Sequence, residues 1–222
     1  MINLVKLPVS LKTTLCIFLL ALAISSCDSG KKELPILGER DWTTKVVDGK
    51  EVVDTIYNTI PPFSFVNQDG DTVTEQIVKD KIYVADFFFT TCPTICPVMK
   101  KQMLVVHAKY KDNPDLMILS HTIDPEHDTP EVLKTFAKDL NVTGNQWQFL
   151  TGPKEKTYEL GLKHYMVVAK EEKTAEGGFL HSGAFILVDK DKHVRGMYDG
   201  TTEEGTQKLI ADIQTLLDEY KK

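Results

Sequence analysis

Ile82-Tyr83-Val84-Ala85-Asp86-Phe87-Phe88-Phe89 is an apolar run of strand length, broken only by Asp86. It leads straight into Thr90-Thr91-Cys92-Pro93-Thr94-Ile95-Cys96-Pro97. A strand with one wet face alternates polar and apolar residues. A near-continuous run needs cover on both faces, as a central strand of an α/β protein has. Beyond Pro97, Met99, Met103, Val106 and Tyr110 recur at helical spacing, so Val98 to Tyr110 reads as a helix. The fold is therefore bound to place two cysteines between a buried strand and the mouth of a helix.

The remaining pattern alternates in the same way. Phe63 to Val66 and Thr72 to Thr74 flank an Asp69-Gly70 turn and read as a β-hairpin. Leu116 to Leu119 is a second buried strand. Asp128-Thr129-Pro130-Glu131 opens a helix, with Asp128 as the expected cap and Glu131 completing a capping box. Trp147 to Leu150 and Tyr165 to Val168 read as strands, with Lys154 to Leu162 helical between them. Lys170 to Gly178 is polar and reads as a mobile loop. Ala184 to Val188 and His193 to Tyr198 form a second hairpin. Thr201 to Glu204 is a further capping box before a last helix whose apolar face carries Leu209, Ile210, Ile213, Leu216, Leu217 and Tyr220. Such alternation implies a mixed central sheet flanked by helices. The strand, cysteine turn, hairpin and closing helix resemble the thioredoxin layout, preceded here by an N-terminal hairpin.

The first 26 residues stand apart. Lys6 and Lys12 are their only charged side chains, and an apolar run follows from Leu15 to Ile24. As a helix that run would rise about 15 Å, half of a bilayer core, which marks an export signal rather than a span. It ends in Ile24-Ser25-Ser26-Cys27, which resembles the lipobox of bacterial lipoproteins. The resemblance implies lipid on Cys27 and a membrane-anchored domain outside the cytoplasm, in the bacterial envelope. Ordinary cleavage near Ser26 is the alternative, and would leave Cys27 a free thiol. The expected organisation is a signal over 1–26, a lipid-attached tether over 27–50 and a folded domain over 51–222. A net charge of −6 without a basic cluster argues against nucleic acid as a partner.

Export leaves only Cys92 and Cys96 in the folded part, because Cys16 lies in the signal. Thiols kept in an oxidising compartment need a reason. On a helix the pair would share one face, and a helix N-terminus favours thiolates. Two close thiolates hold one soft metal ion or close as a disulfide. A purely structural bridge across so short a loop would gain little.

Phe87 to Pro97 resembles the first signature of the Sco/SenC family. Thr122-Ile123-Asp124-Pro125-Glu126-His127-Asp128-Thr129-Pro130 resembles its second. Leu180-His181-Ser182 with Ala184 to Asp189 resembles the third, which carries a metal-binding histidine. The match runs from about Pro62 to the C-terminus. It implies a thioredoxin-like fold, one copper ion, Cu(I) or Cu(II), held by Cys92, Cys96 and His181, and help in metallating the dinuclear copper centre of cytochrome c oxidase. The implied partner is subunit II of that oxidase or a copper-relay protein. Thr94 stands where many family members carry an acidic residue. Copper suits the chemistry, since thiolate selects Cu(I), added imidazole suits either state, and three ligands leave an open position.

The other histidines, His107, His121, His127, His164 and His193, are weaker ligand candidates; His121 and His127 bracket the second signature and read by default as surface or loop residues. Met99 and Met103 read as core. Asp86, six residues before Cys92, resembles the buried aspartate of thioredoxins, where it serves proton transfer; the alternative is an edge-facing or hydrogen-bonded carboxylate. Two functions follow: a copper metallochaperone, which needs His181, and a thiol–disulfide reductase with Cys92 and Cys96 as redox pair, which does not. A peroxidase ranks behind both for want of a signature. Where oxidoreductases of this fold carry a cis-proline, this chain reads Leu180-His181-Ser182-Gly183, which favours metal.

Overall fold

The computed structural model describes residues 33–221. The expected signal over 1–26 and the expected lipid site Cys27 lie outside these residues. Eleven strands are described: β1 (Arg40–Val47), β2 (Lys50–Tyr57), β3 (Ser64–Asn67), β4 (Thr72–Thr74), β5 (Ile82–Phe88), β6 (Leu116–Thr122), β7 (Trp147–Thr151), β8 (Ala169–Glu171), β9 (Phe179–His181), β10 (Ala184–Val188) and β11 (Val194–Asp199). The helices are α1 (Ile95–Lys109), α2 (Pro130–Asp139), α3 (Lys154–Glu159) and α4 (Glu203–Glu219). No helix among the described residues is long and apolar enough to cross a membrane.

Seven strands form one mixed sheet in the order β11-β10-β5-β6-β7-β3-β4. β5, β6 and β7 run parallel, joined by crossovers through α1 and α2; the outer pairings are antiparallel. Every residue of β5 and of β6 is buried, as the apolar runs required. On one face Phe88 packs against Phe136 of α2 and Phe149 of β7, and Trp147 meets His107 of α1. On the other, Phe87 and His121 meet Phe65 and Tyr165. This is the thioredoxin-like mixed sheet flanked by helices, with an N-terminal β-hairpin.

That hairpin, β3–β4, turns where Asp69-Gly70 placed it. Asn67 Oδ1 accepts from the N–H groups of Asp69 and Asp71, and Gly70 takes φ 84°, open to glycine without a Cβ clash. Other expectations shift. The segment read as a tether up to residue 50 is structured from Leu34. The buried Arg195 guanidinium donates to the Leu34 carbonyl at 2.6 Å while pairing with Asp189 and Glu219, and β1 then pairs with β2. The α2 cap is Thr129, not Asp128; the Thr129 hydroxyl accepts from Val132 N–H, while the Asp128 carboxylate turns inward. Thr202 caps α4 by accepting from Gly205 N–H, which moves that start by one residue.

Tyr165 to Val168 is not a strand. A single π-turn over Leu160–His164 carries the chain to Tyr165, whose hydroxyl meets that of Tyr83 at 3.0 Å, and Met166 takes φ 59°. The strand begins at Ala169 instead. Lys170 to Gly178, read as a loop, is one for most of its length; only Lys170 and Glu171 belong to β8, which pairs antiparallel with β9 just beyond the loop so that Ala169 faces His181.

His121 also departs from expectation, because it is fully buried rather than on the surface. Its ring stacks on Phe87 at 5.3 Å and stands edge-on to Phe65 at 5.0 Å. Neither ring nitrogen has a hydrogen-bond partner among the described residues, and burial depresses its pKa from 6.5 to about 4. Above pH 6.5 the ring is neutral folded and unfolded. As pH falls from 6.5 towards 4 only the unfolded chain takes the proton, so stability drops. His121→Phe should remove this loss. In urea denaturation at a series of pH values, the wild type should lose about 3 kcal/mol more than the variant across that window.

Candidate metal centre

Cys92 does not lie on the helix. β5 ends at Phe88, and a tight turn follows in which Cys92 N–H donates to the Phe89 carbonyl at 3.3 Å. α1 begins at Ile95, three residues earlier than its apolar spacing suggested, so Cys96 sits in its first turn. Pro97 follows there, where a missing N–H costs nothing. The two cysteines meet because this turn wraps over the helix start. Both are free thiols.

His181 arrives from the other side of the sequence, at the end of the β8–β9 ribbon. Its Nε2 lies 3.2 Å from Cys96 Sγ and 3.8 Å from Cys92 Sγ, and the three ligand atoms all lie within 4.8 Å of one another. An ion bound at about 2.3 Å to sulfur and about 2.0 Å to nitrogen separates such atoms by roughly 3.5–3.7 Å, so the set fits one ion with small adjustment. His181 Nδ1 lies 3.2 Å from the Ser182 carbonyl oxygen. A carbonyl only accepts, so Nδ1 carries the proton and the Nε2 lone pair faces the sulfurs. Phe89 stands edge-on to the ring at 5.7 Å and holds its plane. Burial depresses the His181 pKa, which keeps the ring neutral and fit to ligate.

The two thiols are unlike. Burial pushes the Cys96 thiol well up. Burial also acts on Cys92, but hydrogen bonds from the backbone N–H groups of Cys96 and Thr94 and from the Thr94 hydroxyl outweigh it, so its pKa falls below the ordinary value. Thr94, whose side chain does not cap α1, lies with its hydroxyl 3.6 Å from Cys92 Sγ. A cavity of about 310 Å³, walled by Thr90, Pro97, Leu104 and Phe136, is also lined by both cysteines. His181 lies outside its lining.

Beneath Cys96 runs a buried polar network that the sequence half disclosed. Asp86 is fully buried and hydrogen-bonded, not edge-facing. Lys100, one helical turn beyond Cys96, reaches it at 2.5 Å and Ser120 Oγ at 3.2 Å. Ser120 Oγ–H donates to Asp86, and Trp147 Nε1–H donates to Ser120 Oγ at 2.9 Å. The Lys100 ammonium also lies 4.0 Å from the centre of the Phe88 ring. Nothing next to Lys100 in the chain marks it, because a lone lysine on a helix reads as solvated. A lysine four residues past a helix-mouth cysteine, opposite a carboxylate in an apolar strand, was the available signal.

The second motif also closes here. Asp128 accepts from Thr90 N–H at 3.1 Å and from the hydroxyls of Thr90 and Thr122, tying the residue two before Cys92 to the end of β6. His127 Nδ1 pairs with Asp128 at 2.9 Å at the surface. His107, His164 and His193 lie away from the Cys92–Cys96–His181 set, and Met99 and Met103 are fully buried in the core. Asp189, Asp191 and His193 form a second cluster of possible ligands, but Asp189 is already paired with Arg195.

A mixed sheet, a two-cysteine turn after its central parallel strand and a histidine ribbon facing the sulfurs define a thioredoxin-like domain with a two-thiol, one-imidazole site. The chain belongs to the SCO1/SenC family, whose model matches residues 54–218. It is 34% identical over 169 residues to the SCO1 protein homolog of Bacillus subtilis, covering 75% of this chain and 87% of that protein. The crystal structure of a SCO1/SenC family lipoprotein from Bacillus anthracis matches with a TM-score of 0.66 at 29% identity, covering 72% of this chain and 95% of that one. BsSco, a member of the Sco family of cytochrome c oxidase assembly proteins in which a disulfide switch was identified, matches with a TM-score of 0.64 at 35% identity. That match covers 72% of this chain and 93% of the other.

The Asp86–Lys100 pair yields a test. Lys100→Met leaves a buried carboxylate without its counter-charge and should cost about 3–5 kcal/mol in urea unfolding. The double variant Asp86→Leu with Lys100→Met should recover most of that loss, since two apolar side chains then replace two buried charges.

Proposed function

We propose that this protein is a copper metallochaperone that assists assembly of the dinuclear copper centre of cytochrome c oxidase. The aim of the His181 ring carries the reading. Nδ1 is committed to the Ser182 carbonyl, and Nε2 faces both sulfurs at 3.2 and 3.8 Å. Two thiolates and an imidazole suit one copper ion in either oxidation state. Three donors leave one position for a ligand of the recipient, which delivery of a cargo metal requires; a structural zinc site would be closed by a fourth. The oxidase assembly family of the related BsSco points to oxidase subunit II, or a copper-relay protein, as recipient. The lipobox-like end of the signal, and the lipoprotein relative from Bacillus anthracis, support a lipid anchor on Cys27 that holds the domain at the envelope membrane outside the cytoplasm.

The unlike thiols favour a second reading, reduction of the recipient's own disulfide. The Cys92 thiolate would attack one sulfur of that disulfide and form a mixed disulfide. Cys96 would then lose its proton to the departing thiolate and attack Cys92 Sγ. The recipient's second sulfur leaves as a thiolate and takes from water the proton that Cys92 had given up, so the recipient becomes a dithiol and Cys92–Cys96 a disulfide, two electrons having passed. This path does not need His181.

The readings separate on the reduced protein. Titration with Cu(I) should give one tight copper per chain. His181→Ala and Cys92→Ser should each weaken binding by at least about a hundredfold, more than loss of an outer partner costs. His181→Ala should still form the Cys92–Cys96 disulfide. Unchanged copper affinity in that variant would remove the histidine from the site. No stable copper in the wild type, with a readily cycled disulfide, would establish the reductase instead.

A further inference from the structure

The β1–β2 hairpin is the least covered part of the described chain. It is a separate two-stranded sheet, with no hydrogen-bonded neighbour in the main sheet. Trp42, Val46, Val47, Val52, Val53 and Ile56 are all exposed on it, Trp42 at 66% and Val46 at 71%. An isolated two-stranded ribbon is marginal in water, and open edges with large apolar side chains are sites of strand pairing. The family match begins only at residue 54, so β1 lies outside it and the family's established role does not account for the strand.

The backbone fixes which groups the β1 edge offers. Asp48 and Gly49 form a two-residue turn with φ 51° and 76°, both positive as a type I′ turn requires. In such a hairpin the flanking pair, Val47 and Lys50, exchanges hydrogen bonds, and pairs alternate along the ladder. Asp41, Thr43, Lys45 and Val47 therefore turn their N–H and C=O groups towards β2. Those of Arg40, Trp42, Thr44 and Val46 point to the open edge, where the Trp42 N–H donates to the Asp41 carboxylate at 2.8 Å, a local bond that a paired strand would replace.

We infer that this edge pairs with the same edge of a second copy, antiparallel and centred on Thr44. A two-fold centred there brings outward groups opposite outward groups throughout. The side chains agree. Trp42 falls opposite Val46 of the second copy, an aromatic against a β-branched residue. Thr44 meets Thr44, and Arg40 meets Asp48, opposite charges repeated on both sides of the axis. Arg40 already donates to the Ile36 carbonyl at 3.3 Å and keeps further N–H donors, whereas Asp54 on β2 is paired with Lys45. A bilayer is the poorer occupant, because Asp41, Asp48, Glu51 and Asp54 are distributed along both strands and would enter with the apolar residues. Each copy retains its own Cys92–Cys96–His181 site, so the pairing stands whether or not the copper reading does.

The test uses the full chain in mild detergent under reducing conditions. Sedimentation should show a concentration-dependent dimer. Thr44→Pro removes only an outward-facing N–H, which strands tolerate at an edge. It should weaken the dimer by roughly tenfold or more through two lost central hydrogen bonds. The protein has two tryptophans, and Trp147 is fully buried, so a red shift of emission in Thr44→Pro reports Trp42 alone. Thr44→Cys supplies an independent measurement. Paired residues at the axis have Cα atoms about 5.5 Å apart, within disulfide range, so oxidation should link position 44 to position 44 in a peptide map. A monomer at every concentration, with Trp42 either wet or covered by detergent, overturns the inference, as does a dimer that Thr44→Pro leaves intact and whose Thr44→Cys form does not cross-link.

Discussion

Burial of β5 on both faces is the constraint from which the rest follows. A strand with no wet side must satisfy its one polar side chain inside the protein, and Asp86 does so through Lys100 and Ser120. Because Lys100 stands one turn beyond Cys96, this pairing also fixes the rotation of α1 about its axis. The helix start, with Cys96 in its first turn, is thereby pressed against the end of β5. The same alternation sends Phe87 to the opposite face, where it stacks on His121 and closes the aromatic layer around Tyr165.

The site is assembled from three pieces of chain that differ in how they are held. The cysteine turn is anchored by the Asp128 carboxylate, which binds both the N–H and the hydroxyl of Thr90. Cys96 is held by the packing of α1. His181 is held by a ribbon only three residues long on each strand, with its ring oriented by the Ser182 carbonyl and Phe89. Two rigid thiols and one lightly supported imidazole suit a centre whose ion must be exchanged. The depressed Cys92 and elevated Cys96 pKa values let the same pair act as nucleophile and resolving thiol, so copper handling and thiol chemistry draw on one geometry.

The N-terminal part obeys different physics. The clamp of Arg195 on the Leu34 carbonyl, with Asp189 and Glu219 as counter-charges, sets where the chain leaves the core. Beyond it the hairpin carries its apolar residues outward. Its strand pattern mixes polar and apolar residues on both faces, so neither face is marked for the core, and composition alone suggested a tether.

Residue order by itself determined the central strands, the cysteine-bearing turn, most of α1, α2 and the closing helix, because burial on two faces and helical periodicity are written locally in side-chain type. It also marked Cys92, Cys96 and His181 through the first and third of the three signatures. Tertiary structure alone decided what depends on distant partners. Asp86 became a buried ion-pair member only because Lys100 of a neighbouring helix met it. His121 became a buried ring, without a hydrogen bond among the described residues, because both sides of β6 were covered. Asp128 gave up the helix cap because Thr90 and Thr122 offered donors inside. The His181 tautomer, and its distance from two sulfurs some 85 and 89 residues earlier in the chain, arose from a ribbon whose pairing no local pattern encodes. Local preference governs elements, whereas the protonation and reach of a side chain depend on what the fold brings beside it.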